Sequence, residues 1–306
     1  MNQEMSRPKL HWEARDFERR LGFRGAKYTG TNTLLTFAMG LVLAILFYVA
    51  LLLVTRYHFR RPPSDAALPP DVRFAQMFFE RGPVPYFIVL FSSWCLAVLF
   101  VKWQKLKLQR EALDYSILPE EPDFVLSPIT ANDILDNIRE LSDNPKHFLL
   151  LNRVERALSN LKNIGRVSDI DDILSSQAEN DDNYTESSYT AVRGFIWAIP
   201  VLGFIGTVLG LSSAIGGFGA VLAKAKEIQS SELRASLQIV TGGLAVAFET
   251  TLIGLVAAVM IQLLLTALKR KEELFLDECS EYCHRHIVSK LRTIPVEEEA
   301  QVEGAP

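Results

Sequence analysis

Few side chains in this 306-residue chain are placed to do chemistry, and those few sit mainly in two apolar runs. Glu249 is the one ionisable residue inside a long apolar stretch, with Thr250 and Thr251 directly after it. A carboxylate at membrane depth is costly and marks a functional site by default. It acts either as a proton relay or as a buried hydrogen-bonding group. Thr207 lies in a second apolar run, 14 residues from Arg193, about 21 Å of helix. Thr251 lies 18 residues from Lys269, about 27 Å of helix. With some helix projecting into the cytoplasm, both threonines can sit near one depth. Neutral hydroxyl oxygens at one depth can replace the water around a dehydrated cation or hold a water wire. Equally, each can bond back to the preceding turn of its own helix.

Helical geometry separates the roles. At about 100° per residue, Glu249 is about 200° from Thr251 and about 100° from Thr250. Glu249 cannot share the face that Thr251 presents. The preferred reading makes it a protonated hydrogen-bond donor wedged against another span, near Ser92, Ser93 or Tyr48, rather than the main ion carrier.

Other chemistry is poorly supplied. The histidines, His11, His58, His147, His284 and His286, all lie outside the apolar runs, and no HExxH, GxSxG or phosphate-loop pattern occurs. Catalysis has no visible nucleophile, base or metal cluster, so no enzyme and no cofactor is expected. Cys279, Cys283 and His286 share one helical face, but no fourth zinc ligand stands at suitable spacing. A packed face is the expectation there, and no metal. Net charge is −4, which removes any basic footprint for nucleic acid.

The elements that must position these residues follow from charge-free runs. A helix needs about 20 apolar residues to cross the bilayer core. Four runs qualify: 28–55, 82–101, 194–223 and 235–268. The first is too long for a signal-peptide core and is expected to stay as a span. Residues 1–27, 102–193 and 269–294 then share one side with the acidic, disordered tail 295–306. Residues 56–81 and 224–234 lie opposite. The first side carries 24 Lys and Arg, the second 8. By the positive-inside rule both termini are cytoplasmic and the two short loops periplasmic. The soluble segments read as helical. Thr130 and Asp133 look like a cap after the breaker Pro128, Gly165 looks like a helix-ending residue, and a helix from about Asp169 is expected to run into the third span. No strand alternation is visible. The expected fold is an all-α membrane protein with a helical cytoplasmic domain.

The third and fourth runs also carry packing signals. Gly206 and Gly210 form a GxxxG, with Gly203 before them and Gly254 on the fourth run, so backbones can approach closely. Pro200 interrupts the hydrogen-bond ladder of the third run, which is tolerated beside protein or water.

These stretches, IPVLGFIGTVLGL and GGLAVAFETTLIGLVAAV, resemble the MotA/TolQ/ExbB proton-channel family over about residues 165–290. Four spans, with two before a large cytoplasmic segment, look more like its MotA branch. The resemblance implies a homopentamer around a dimer of a MotB/TolR/ExbD-like single-span partner bearing an intramembrane aspartate, in a bacterial inner membrane. It implies an ion-driven motor in which Thr207 and Thr251 are the pore threonines and Pro200 the proline at the cytoplasmic end of the pore span, and Thr250, next to Thr251, is expected on the ion path with them. Protons are the family's commoner ion, while the Thr250–Thr251 pair resembles sodium-driven members. Glu249 departs from the family pattern, and no match to a flagellar rotor-gripping surface is seen. The other reading is a non-conducting membrane scaffold, in which the glycines serve packing alone. A solute transporter would be expected to repeat a broken-helix pair, and none is seen.

Overall fold

The computed structural model describes residues 10–23, 25–60, 70–115, 117–118, 126, 128–159, 167–223 and 230–291. The described residues form ten α-helices: α1 (Trp12–Arg15), α2 (Phe17–Arg20), α3 (Thr33–Arg60), α4 (Pro70–Phe79), α5 (Val84–Arg110), α6 (Pro128–Leu141), α7 (Leu149–Ser159), α8 (Val167–Ser188), α9 (Thr190–Ala223) and α10 (Ser230–His286). Among these residues there is no strand, only the isolated bridges Leu10–Ser142 and Leu126–Leu291. Among the described residues four helices are long and apolar enough to cross a membrane. The chain is an all-α membrane protein with four such helices.

The chain divides into two compact units. The first, the polar unit, comprises residues 1–32, 101–188 and 268–306. Its core forms where α6 and α7 bury Ile134, Ile138, Leu150, Leu151 and Val154. Trp12 is fully buried there, stacked on His147 (5.4 Å) and edge-on to Phe148 (5.2 Å). Its backbone N–H donates to Asp143 Oδ1 at 2.8 Å, which fixes the start of α1 on the turn after α6. Gln109 works as a backbone substitute. Its Nε2 donates to the His147 carbonyl (2.6 Å) and its Oε1 accepts from the Leu149 N–H (2.9 Å), satisfying groups at the entry to α7.

The second, the membrane unit, comprises residues 33–100 and 189–267. Here α3 crosses α5 at Gly40, where an added Cβ would meet the Trp94 backbone at 2.6 Å. The Trp94 indole N–H donates to Thr36 Oγ1 beside that crossing (3.3 Å). Helix α4 packs on α3 through Phe78 and Phe47 (5.1 Å) and through Phe79 and Tyr48 (5.6 Å).

Several local readings change. The charge-free run that begins at Tyr28 is not helical from its start. Tyr28 has φ 52, α3 begins at Thr33, and Tyr28 belongs to the polar unit, where Asn152 Nδ2 donates to its hydroxyl at 2.6 Å. Absence of charge marks permission to enter a bilayer, not a helix boundary. The segment 56–81 is not only loop, since it contains α4. Pro128 is the first residue of α6 rather than a breaker before it, because the N–H it lacks is one that a first turn leaves unpaired anyway. The helix from Val167 stops at a turn residue, Tyr189, before α9 starts. The expected fourth span and the helix after it are one continuous 57-residue helix, α10. Gly165, residues 224–229 and the tail 295–306 lie outside the described residues.

Candidate functional site

Helices α9 and α10 meet along a seam of small residues. A Cβ added at Gly210 would lie 2.6 Å from the Gly243 carbonyl oxygen and 2.7 Å from the Ala247 nitrogen. One added at Gly243 would lie 2.7 Å from the Gly210 oxygen and 2.8 Å from the Ala214 nitrogen. At Gly254 it would meet the Ile199 oxygen at 3.0 Å, and at Gly203 the Thr250 oxygen at 3.0 Å. Four glycines thus put backbone against backbone; at Gly210 and Gly243 a larger residue forces the helices apart, because the atoms in the way are not side chains that can turn aside, and at Gly203 and Gly254 the opposite backbone must give by a few tenths of an ångström. Pro200 lies within α9 and removes the N–H that would pair with the Ile196 carbonyl.

This close approach sets the hydroxyls. Thr207 Oγ1 and Thr251 Oγ1 are hydrogen-bonded to each other across the seam. The Thr207 hydroxyl also lies 3.0 Å from the Ala247 carbonyl on the opposite helix. The Thr251 hydroxyl lies 3.2 Å from the Gly203 carbonyl opposite and 3.1 Å from the Ala247 carbonyl of its own helix. Two hydroxyls and two carbonyls converge, all neutral oxygens. Each hydroxyl has a single proton to give and lone pairs to spare. The group can therefore pass hydrogen bonds along itself or offer oxygen to a cation.

Thr250 stands apart. It was expected on the ion path with Thr251, but it is fully buried, and Gly206 lies directly beneath its side chain. Its hydroxyl donates to the Val246 carbonyl at 2.8 Å, one turn back on its own helix. Thr250 fills the hollow that Gly206 leaves, and its hydroxyl is absorbed by local bonding.

Glu249 does not meet Ser92, Ser93 or Tyr48, and it does not act as a hydrogen-bond donor. Its carboxylate accepts from the Arg81 guanidinium through two contacts, Nε to Oε2 and Nη2 to Oε1, the second at 3.2 Å. About 22% of the Arg81 side chain and 23% of the Glu249 side chain stay exposed. In the sequence Arg81 stands only at the edge of the charge-free run 82–101. The signal was the carboxylate itself, which in apolar surroundings calls for a cation or a proton.

Cys279 and Cys283 are buried, and His286 stacks on Tyr282 at 4.5 Å. Among the described residues no group of three or more His, Cys, Asp or Glu is placed to hold a metal ion.

Comparison with curated proteins and with solved structures yields no match. Residues 143–281, which contain the glycine seam, both paired threonines and Glu249, match the model of the MotA/TolQ/ExbB proton channel family. The chain is a multi-pass membrane protein that over residues 143–281 is similar to the MotA/TolQ/ExbB proton channel family.

Proposed function

We infer that this chain is the channel-forming subunit of an ion-driven membrane motor, and that Thr207 and Thr251 line its ion path. The observation that carries the reading is the threonine pair, two hydroxyls held together on two membrane helices inside the region similar to the family. Thr250, buried over Gly206, is left to packing. Five copies surround a dimer of a single-span partner that supplies an aspartate, since this chain has no unpaired carboxylate among the described residues of its apolar runs. Self-association is supported by a row of exposed apolar residues on α9, Trp197, Phe204, Val208, Leu211, Ile215 and Phe218, whose spacing of seven, four, three, four and three follows a helix seam. The Lys and Arg asymmetry supports a bacterial inner membrane with the polar unit in the cytoplasm. Protons are the ion, with sodium as the alternative that the hydroxyl oxygens also suit.

Thr207→Ala and Thr251→Ala test the path. Each removes an oxygen and should abolish most ion-dependent activity while the purified complex keeps its size. Normal activity in both variants sinks the assignment and favours a non-conducting scaffold, in which the hydroxyls only bond their own helices. Activity that survives without sodium and collapses with a protonophore fixes the ion as the proton.

A further inference from the structure

The geometry points to a second role at this site: Arg81 and Glu249 are a positioning pair that sets the rotation of α10, so that Thr251 meets Thr207. Three successive residues of α10 face three different neighbours. Glu249 reaches the Arg81 guanidinium, Thr250 fills the hollow at Gly206, and Thr251 bonds Thr207. Their directions differ by about 100° per residue, so Glu249 and Thr251 point to nearly opposite flanks of the helix. Turning α10 by one residue breaks all three contacts together.

The seam excludes a full one-residue turn, which would bring larger residues against α9, but it sets smaller rotations less sharply. Backbone against backbone fixes how near α9 and α10 come, but a surface of glycines offers few side chains to interlock. Thr250 over Gly206 supplies one point of register. The ion pair supplies another, on the far flank of the helix.

Arg81 is well built for that task. It sits in the short turn between α4 and α5, next to Gly82, whose φ of +80 only glycine adopts freely. The Tyr86 N–H closes the turn on the Pro83 carbonyl (3.1 Å), and Tyr86 stacks on Tyr48 of α3 (4.8 Å). The guanidinium is thus presented from a braced turn. Its contact with both carboxylate oxygens fixes orientation as well as distance, which a single point charge does not.

This inference rests on the ion-path reading only for the purpose of the rotation, not for its existence. The test therefore measures rotation directly. Thr207→Cys with Thr251→Cys places two thiols where the hydroxyls touch, and oxidation of the full complex in native membranes should cross-link them, against single-cysteine controls. Adding Arg81→Ala or Glu249→Ala should lower the yield about tenfold, the factor that follows from losing hydrogen bonds to a charged group. The exchanged pair, Arg81→Glu with Glu249→Arg, should recover most of it. Arg81→Lys keeps the charge without the fork and should fall between. If the single variants do not reach the membrane, the Lys variant and the exchanged pair still decide the matter. Unchanged cross-linking in every variant overturns the inference, and so does loss without rescue in the exchanged pair. Normal motor activity in the threonine-to-alanine variants would remove the ion path and leave this result standing.

Discussion

The two units are built from the same secondary structure and held by opposite means. In the membrane unit, α9 and α10 touch through glycine and alanine, and the threonine hydroxyls bond back to carbonyls. The polar unit buries charge instead. Lys105 Nζ donates to Glu18 (2.6 Å) and to the Gly30 carbonyl (2.7 Å), and lies 4.0 Å from Asp16, with these three side chains at most 1% exposed. Glu18 in turn accepts from the backbone N–H groups of Ala26 (3.0 Å) and Asn32 (2.6 Å). Arg153 bonds Asp181 (2.7 Å) and Ser280 (2.8 Å). The difference follows from the surroundings. Lipid gives helices no hydrophobic reason to associate, so close approach must supply the attraction. Water supplies the drive to bury apolar surface, and well-satisfied charges can then specify which segments meet.

Breaking the seam should have the largest effect. Gly210→Leu must push apart two backbones and should cost about 3 kcal/mol or more, enough to abolish the assembled complex. Gly216→Leu, where an added Cβ meets nothing within 4 Å, is the matched control and should assemble normally. Size-exclusion profiles of the two variants decide it, and equal behaviour would contradict the seam.

Breaking the buried charge comes next. Lys105→Met leaves Glu18 and Asp16 buried without their cation and should destabilise the protein by about 3–5 kcal/mol. Adding Glu18→Gln should return part of that loss, because the unpaired charge is then gone. Thermal melts of the full chain in detergent test both. A double variant no better than the single would mean that Lys105 acts through its packing rather than its charge.

The smallest effect concerns pH. Burial, followed by the charges of Arg19, Lys105 and Lys27 and opposed by Glu13, holds the His147 pKa below its usual 6.5. The unfolded chain therefore binds a proton at His147 before the folded one does. Stability from this group is complete above pH 6.5 and declines as pH falls toward the lower, folded value. Melting temperature should drop modestly across that window, and His147→Phe should flatten the drop. A slope that steepens toward high pH would reverse the sign.

The sequence exposes the parts of this molecule that depend on local pattern. Charge-free runs reveal the four long apolar helices, because a bilayer tolerates little else. Distances of 14 and 18 residues from Arg193 and Lys269 allow Thr207 and Thr251 one level once some helix projects beyond the bilayer, because helices rise uniformly. Angle alone sets Glu249 on the flank away from Thr251. What the sequence hides is whatever depends on a distant partner. Arg81 lies 168 residues from Glu249 and Glu18 lies 87 from Lys105. The four-residue helices α1 and α2 are too short to show a period, so nothing local announces that Trp12 and Glu18 are buried.

The seam at Gly203, Gly206, Gly210, Gly243 and Gly254 also has an entropic consequence. Joining two helices ordinarily freezes side chains that were free to rotate, a cost of up to about 2 kcal/mol for each long residue. Glycine has no such freedom to lose. The attraction across the seam is dispersion and hydrogen bonding, which do not fade on cooling as hydrophobic association does. The α9–α10 hairpin should therefore form as readily in a cold detergent micelle as in a warm bilayer, and it is a candidate for the first tertiary contact made when the chain enters the membrane.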